Sequence, residues 1–97
     1  MSFKDLLMGD IRLVLLRSLR EMAGYSANDS MLDQCLETYG HNISRDAVRT
    51  HLRWLEEQGL LTIEQVGQTL VARLTGRGDD VATGQAVVDG VKKPRPE

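Results

Sequence analysis

The stretch from Ser44 to Leu61, SRDAVRTHLRWLEEQGLL, restricts the fold more than any other part of this chain. Ser44 is a favoured N-cap, Val48, Leu52 and Leu55 recur at helical spacing, and Gly59 suits a C-terminal stop. The spacing predicts one amphipathic helix over 44–58. At about 100° per residue, Val48, Leu52 and Leu55 gather with Ala47 on one side, Arg49 and Arg53 fall nearly opposite, and Arg45 lies at the edge. Past Gly59 the period changes from helical to alternating. Leu61 and Ile63 point one way and Thr62, Glu64 and Val66 the other; after a Gly67-Gln68 turn, Leu70, Ala72 and Leu74 alternate with Val71, Arg73 and Thr75. That pattern is a β-hairpin.

Upstream, Ile11, Val14, Leu15, Leu19 and Met22 keep a helical rhythm up to Gly24. Asp10 is the expected N-cap of this helix, with Gly9 separating it from a first turn that carries Phe3, Leu6 and Leu7. Leu13 and Leu16 widen the apolar stripe beyond a single core face, which calls for a second contact: the N-terminal turn folded back, or another subunit. A second helix is expected from Ser30, with Ser30 and Asp33 as an approximate capping box, through Leu32, Cys35, Leu36 and Tyr39 to Gly40. It carries Asp29, Asp33 and Glu37 and no basic residue, so it would face a phosphate backbone badly. Only Gly40-His41-Asn42-Ile43 separates it from the helix after Ser44, the tight link of a helix-turn-helix.

After the hairpin, Asp79 to Ala82 suit a short helix with an acidic first turn. Gly84 to Glu97 read as a loose tail anchored by Val87-Val88, giving a domain over 1–83 and a flexible C-terminal segment over 84–97. Ninety-seven residues with 41% hydrophobic content suffice for one small core. The net charge of -2 excludes a strongly basic binder, so any affinity for nucleic acid must come from local patches. The single Cys35 closes no internal disulfide, and neither a secretory leader nor a membrane-length apolar run is visible, which points to a reducing cytoplasmic setting without membrane contact. One Trp, two Tyr and one Phe supply a stacking platform for single strands poorly.

Three helices followed by a two-stranded hairpin make an α+β fold, mainly α, with the element order of a winged helix: a three-helix core and a two-stranded wing. The run from Ser44 to Leu61, with Val48, Leu52 and Leu55 and the ending Glu56 to Leu61, resembles the recognition helix of winged helix-turn-helix regulators of the MarR, PadR and ArsR type. Leu74 to Gly78 is similar to the exit from their wing. Chain length and the segments Asp80-Val81-Ala82 and Gly90-Val91-Lys92 also resemble small winged-helix proteins of Mu-like prophages.

The resemblance implies a double-stranded DNA partner, with Ser44, Arg45, Arg49, Thr50 and Arg53 entering the major groove, where arginine can bond guanine O6 and N7 or hold phosphates. Gln68 and Thr69 at the wing complete the candidate set, although a wing with Glu64, Gln65, Gln68 and Thr69 releases few counterions. Lys92, Lys93 and Arg95 could add phosphate contacts or merely solubilise the tail. Against this stands a plain alternative, solvated arginines paired with Asp46, Glu56 and Glu57: Arg53 to Glu57 at i, i+4 and Arg49 to Asp46 at i, i+3.

Cys35, His41 and His51 lack the paired-cysteine motif of a metal site, so no metal is expected, and no cofactor. Cys35 is expected in the core, His51 at an inner edge, packing or hydrogen-bonded, and Trp54 as a partly buried anchor. Asp79 and Asp80 point apart on a helix and have no nucleophile or base beside them, and Gly76-Arg77-Gly78 is too short to cradle phosphate. Nothing supports catalysis. Two functions therefore stand: a sequence-specific DNA-binding transcriptional regulator, dimeric through its N-terminal helices, or a winged-helix module for protein interaction without DNA binding.

Overall fold

The computed structural model describes residues 2–95; Pro96 and Glu97 of the expected tail lie outside the described residues. Four helices and three strands follow one another: α1 (Phe3–Glu21), a 3-10 turn at Ala23–Tyr25, β1 (Ser26–Asn28), α2 (Asp29–Thr38), α3 (Arg45–Glu57), β2 (Leu61–Val66), β3 (Thr69–Leu74) and α4 (Gly76–Thr83). The α+β class and the three-helix core with a hairpin wing are as the sequence predicts. The sheet has order β1-β3-β2, antiparallel throughout, with Leu61 opposite Leu74, Val66 opposite Thr69, and Asn28 opposite Val71. At the wing tip Gly67 (φ 62°) supplies the positive φ that a two-residue hairpin turn demands.

Four expectations are corrected. Gly9 does not interrupt α1, and Asp10 does not cap it. Ser2 is the N-cap, its Oγ accepting from Asp5 N at 3.1 Å while Asp5 Oδ2 accepts from Ser2 N at 3.4 Å. This capping box carries the helix through a glycine that costs only about 1 kcal/mol against alanine. α2 starts two residues early: Asn28, not Ser30, caps it by accepting from Met31 N at 2.8 Å, so one residue ends β1 and opens α2. The wing hairpin has a third strand beside it, β1, too short for any period to show.

The fourth correction concerns the C-terminal segment. Over residues 84–95 it forms a strap laid along α1 rather than a loose tail. Val88 and Val91 are buried, Val87 is exposed, Lys92 N donates to Gly9 O at 3.1 Å, and Lys92 Nζ lies 3.3 Å from Asp10. Gly9 permits a close approach here, since a Cβ would sit 3.3 Å from Lys92 N, a tight contact. The strap and α4 also answer the surplus stripe on α1: Leu13 and Leu16 are sealed within the chain, in one cluster with Val81, Ala82, Val88 and Val91.

α3 follows the sequence closely. Ser44 Oγ accepts from Ala47 N at 3.1 Å, Val48, Leu52 and Leu55 are fully buried, and Gly59 (φ 76°) ends the helix as Leu60 N bonds Leu55 O. α4 is longer than Asp79–Ala82 and is capped by Thr75, whose Oγ1 accepts from Gly78 N at 3.0 Å. Gly78 lets α4 press on the start of β2: a Cβ there would lie 1.9 Å from Leu60 O.

Candidate nucleic-acid interface

A helix whose centre of burial is Val48, Leu52 and Leu55 turns Asp46, Thr50, Arg53 and Glu57 most directly outward, with Arg45, Arg49 and Glu56 on the shoulder toward α2 and the wing. The structure separates the three arginines accordingly. Arg45 and Arg53 keep about half of each side chain in water, 47% and 49%, whereas Arg49 keeps 34%.

Arg49 does not project freely. Its Nε donates to Asp29 Oδ2 at 2.7 Å, and its Nη2 donates to the backbone carbonyl of Gln68 at the wing tip. Asp29 is 1% exposed and also accepts from Ser30 N at 3.0 Å, with Arg45 Nη1 3.9 Å away. A carboxylate taken out of water needs such partners, because leaving it unpaired costs on the order of 3 to 5 kcal/mol. Arg49 therefore joins the start of α2, the middle of α3 and the wing. The paired alternative holds in part and with different partners: Arg49 meets Asp29 rather than Asp46, and Arg53 meets Glu56 at 3.4 Å rather than Glu57. Glu56 is itself committed, accepting from Ile63 N at 3.0 Å where β2 begins.

The remaining candidates are distributed along the same side. Ser44 is exposed but spends its oxygen on the cap, and Thr50 donates its hydroxyl proton to Asp46 O at 3.0 Å. Gln68 is exposed beside the half-buried Thr69, and Gln65 Nε2 folds back onto Gly67 O at 3.2 Å. Arg49, Thr50, Arg53 and Trp54 line a shallow depression on α3 together with two carboxylates, Asp46 and Glu57. The outward strip thus alternates in charge instead of forming a continuous cationic band.

Behind α3, Arg12 of α1 does scaffold work that has no sequence signal. Its guanidinium stacks 3.8 Å from the Trp54 ring centroid, its Nε donates to His51 Nδ1 at 3.2 Å, and its Nη1 donates to Gly90 O at 3.0 Å. Trp54 is the partly buried anchor expected, and His51 is hydrogen-bonded as expected. Burial, and then the Arg12 charge, hold the His51 pKa below its ordinary value, so the neutral ring is the acceptor. On the other side of α1, His41 is buried with Nε2 2.6 Å from Asp10 Oδ2. Burial alone would raise the Asp10 carboxyl, but the His41 and Lys92 hydrogen bonds and charges together pull it below its usual value. Cys35 is half-buried in a groove between α1 and α2 rather than sealed in the core. Among the described residues no three His, Cys, Asp or Glu side chains gather where a metal could sit, and no helix is long and apolar enough to cross a membrane.

A helix-turn-helix packed on α1, with a hairpin wing tied to its second helix, defines a winged-helix domain. The Ribonuclease R winged-helix domain family model matches residues 15–81, and the chain belongs to that family. It is similar to an uncharacterized protein, gp26, of Escherichia phage Mu, 53% identical over 95% of each chain. It is likewise 53% identical to an uncharacterized protein of Haemophilus influenzae, over all of this chain and 95% of the relative.

Proposed function

We propose that this domain binds double-stranded DNA through α3 and serves as a sequence-specific transcriptional regulator of the kind that MarR, PadR and ArsR proteins exemplify. One observation carries the reading: in a helix-turn-helix, α3 presents two half-exposed guanidinium groups, Arg45 and Arg53. Eight residues separate them by about 12 Å along the axis, a span comparable to the major-groove width. Arg45 and Arg53 are the side chains that reach bases or phosphates, with Thr50 between them. Arg49 is a positioning residue, holding the wing backbone beside α3 so that Gln68 and Thr69 border the same surface.

Few phosphates are contacted in such an arrangement. With two to four neutralised, log affinity falls against log salt with a slope of roughly -2 to -4. The test is selection from a random duplex pool at low salt, followed by titration of the recovered site. Arg45→Ala and Arg53→Ala each weaken binding by about 1 to 3 kcal/mol where they contact a base. Failure to recover any duplex at about 50 mM salt overturns the reading.

A second reading, a protein-interaction module without DNA binding, is favoured by the exposed Asp46 and Glu57 that flank Arg53 on the outward strip. A co-purified protein partner lost on Arg53→Glu, with no duplex retained, would decide for it.

A further inference from the structure

Among the described residues the strap and α3 share no hydrogen bond of their own; Arg12 of α1 makes one to each, at Gly90 O and at His51 Nδ1. The same guanidinium stacks on Trp54, and Gly90 lies against that ring as well. A Cβ on Gly90 would sit 2.8 Å from Trp54 Cζ2 and Cη2 and 3.0 Å from Arg12 Nη1, and its φ is +96°. The turn of the strap, held by Val91 N bonding Val88 O, is thus seated on α3 through one arginine and one indole. Within this cluster His51 alone changes charge between about pH 5 and 8. A neutral ring accepts from Arg12 Nε through Nδ1; a protonated ring puts a hydrogen on that nitrogen and a second positive charge 3.2 Å from the first.

We propose that the strap turn at Gly90 is a pH-sensitive latch on α3, seated on Trp54 while His51 is neutral and lifted when a protonated His51 expels Arg12. Arg12 is the charge that bears on the ring, and Asp5 acts in turn on Arg12. On α3 itself the residues one turn away, Ala47, Val48, Trp54 and Leu55, carry no charge. On the strap, Asp89 is exposed and Lys92 is paired with Asp10, which also holds His41. That second cluster keeps the rest of the strap in place, since Lys92 N stays on Gly9 O and the Asp10 carboxyl lies below its usual value. Burial and the Arg12 charge hold the seated His51 below 6.5, and lifting the turn removes Arg12. Acid therefore favours the lifted form, starting near 6.5 and levelling off where the ring titrates in the folded chain. Trp54 also borders the depression with Thr50 and Arg53, so the latch ends on the proposed DNA-reading helix, but it is measured without DNA.

Amide hydrogen exchange of the full chain, expressed as protection relative to the intrinsic rate at each pH, tests it. Between about pH 7 and about pH 5 the Val91 amide loses protection several-fold, while those of Leu52 and Lys92 lose much less. His51→Gln keeps an acceptor without the charge and holds Val91 protection level. Gly90→Ala shows low Val91 protection already at about pH 7 and answers little to acid. Parallel losses at Val91 and Leu52 in the wild type mean general loosening and overturn the proposal. So does a His51→Gln chain that responds like the wild type, which hands the response to His41 or Asp10, or a Gly90→Ala turn as protected as the wild type. Should His51→Gln not fold, the wild-type ring resonances decide: a His51 that titrates at or above 6.5 in the folded chain has no latch to open.

Discussion

Arg49 and Asp29 stand twenty residues apart in sequence, yet Arg49 Nε meets Asp29 Oδ2 at 2.7 Å, and the carboxylate has almost no contact with water. The ion pair converts an outward-looking arginine of α3 into the joint between α2, α3 and the wing. It also gives Arg49 a different consequence on mutation from Arg53, although the two share a residue type and one helix.

Arg49→Ala should lower stability by about 3 kcal/mol, because it takes the main partner from the desolvated Asp29 carboxylate, and Asp29→Ala should cost less, because the guanidinium it leaves is partly in water. Arg53→Ala should stay within about 0.5 kcal/mol, its pair with Glu56 being exposed. Denaturant unfolding of the three variants and of the Asp29→Ala/Arg49→Ala double variant measures this. Additive losses in the double variant would show that the two side chains do not act as a unit.

Removing the acids of the outward strip should tighten DNA binding. Asp46→Asn and Glu57→Gln each take away a repulsion with phosphate and raise affinity about threefold at low salt, a gain that fades as screening increases. Fluorescence anisotropy with the selected duplex reads the change. Equal affinities at all salt concentrations would place the strip away from the phosphates.

Stability should fall on mild acidification, and His51 sets the window. Its folded pKa lies below the unfolded value of 6.5, so the unfolded chain takes up a proton first. The contribution is full above pH 6.5 and is lost progressively as pH falls from there toward the folded pKa. Asp10 acts lower: its depressed carboxyl favours folding above the unfolded value of 3.8, and that share is lost as pH falls through its folded pKa. Thermal midpoints between pH 7.5 and 5 should decline in the wild type and flatten in His51→Gln. A wild-type midpoint constant over that range would remove His51 from this role.

The two glycines at the start of α4 should differ sharply. Gly78→Ala drives a Cβ to 1.9 Å from the backbone oxygen of Leu60 and should cost about 2 to 4 kcal/mol, as overpacking against an unyielding backbone does. Gly76→Ala meets nothing within 4 Å and should be neutral or stabilising by up to about 1 kcal/mol. Equal thermal midpoints for the two variants would contradict the close approach of α4 to β2.

Local chemistry alone determined α3, its Ser44 cap, its Gly59 stop, the wing register and the winged-helix order, because caps, periods of 3.6 and 2, and a Gly turn act through neighbours a few residues apart. Tertiary contact decided the rest. A rhythm in α1 cannot reveal that Gly9 is a seat for Lys92, nor can the three residues Ser26, Ala27 and Asn28 reveal that β3 will pair with them. Charge spacing within α3 predicted Asp46, three residues away, as the partner of Arg49 and missed Asp29, the one that it takes. A desolvated carboxylate outcompetes solvated ones for a guanidinium, and only the folded packing of α2 against α3 shows that Asp29 is desolvated.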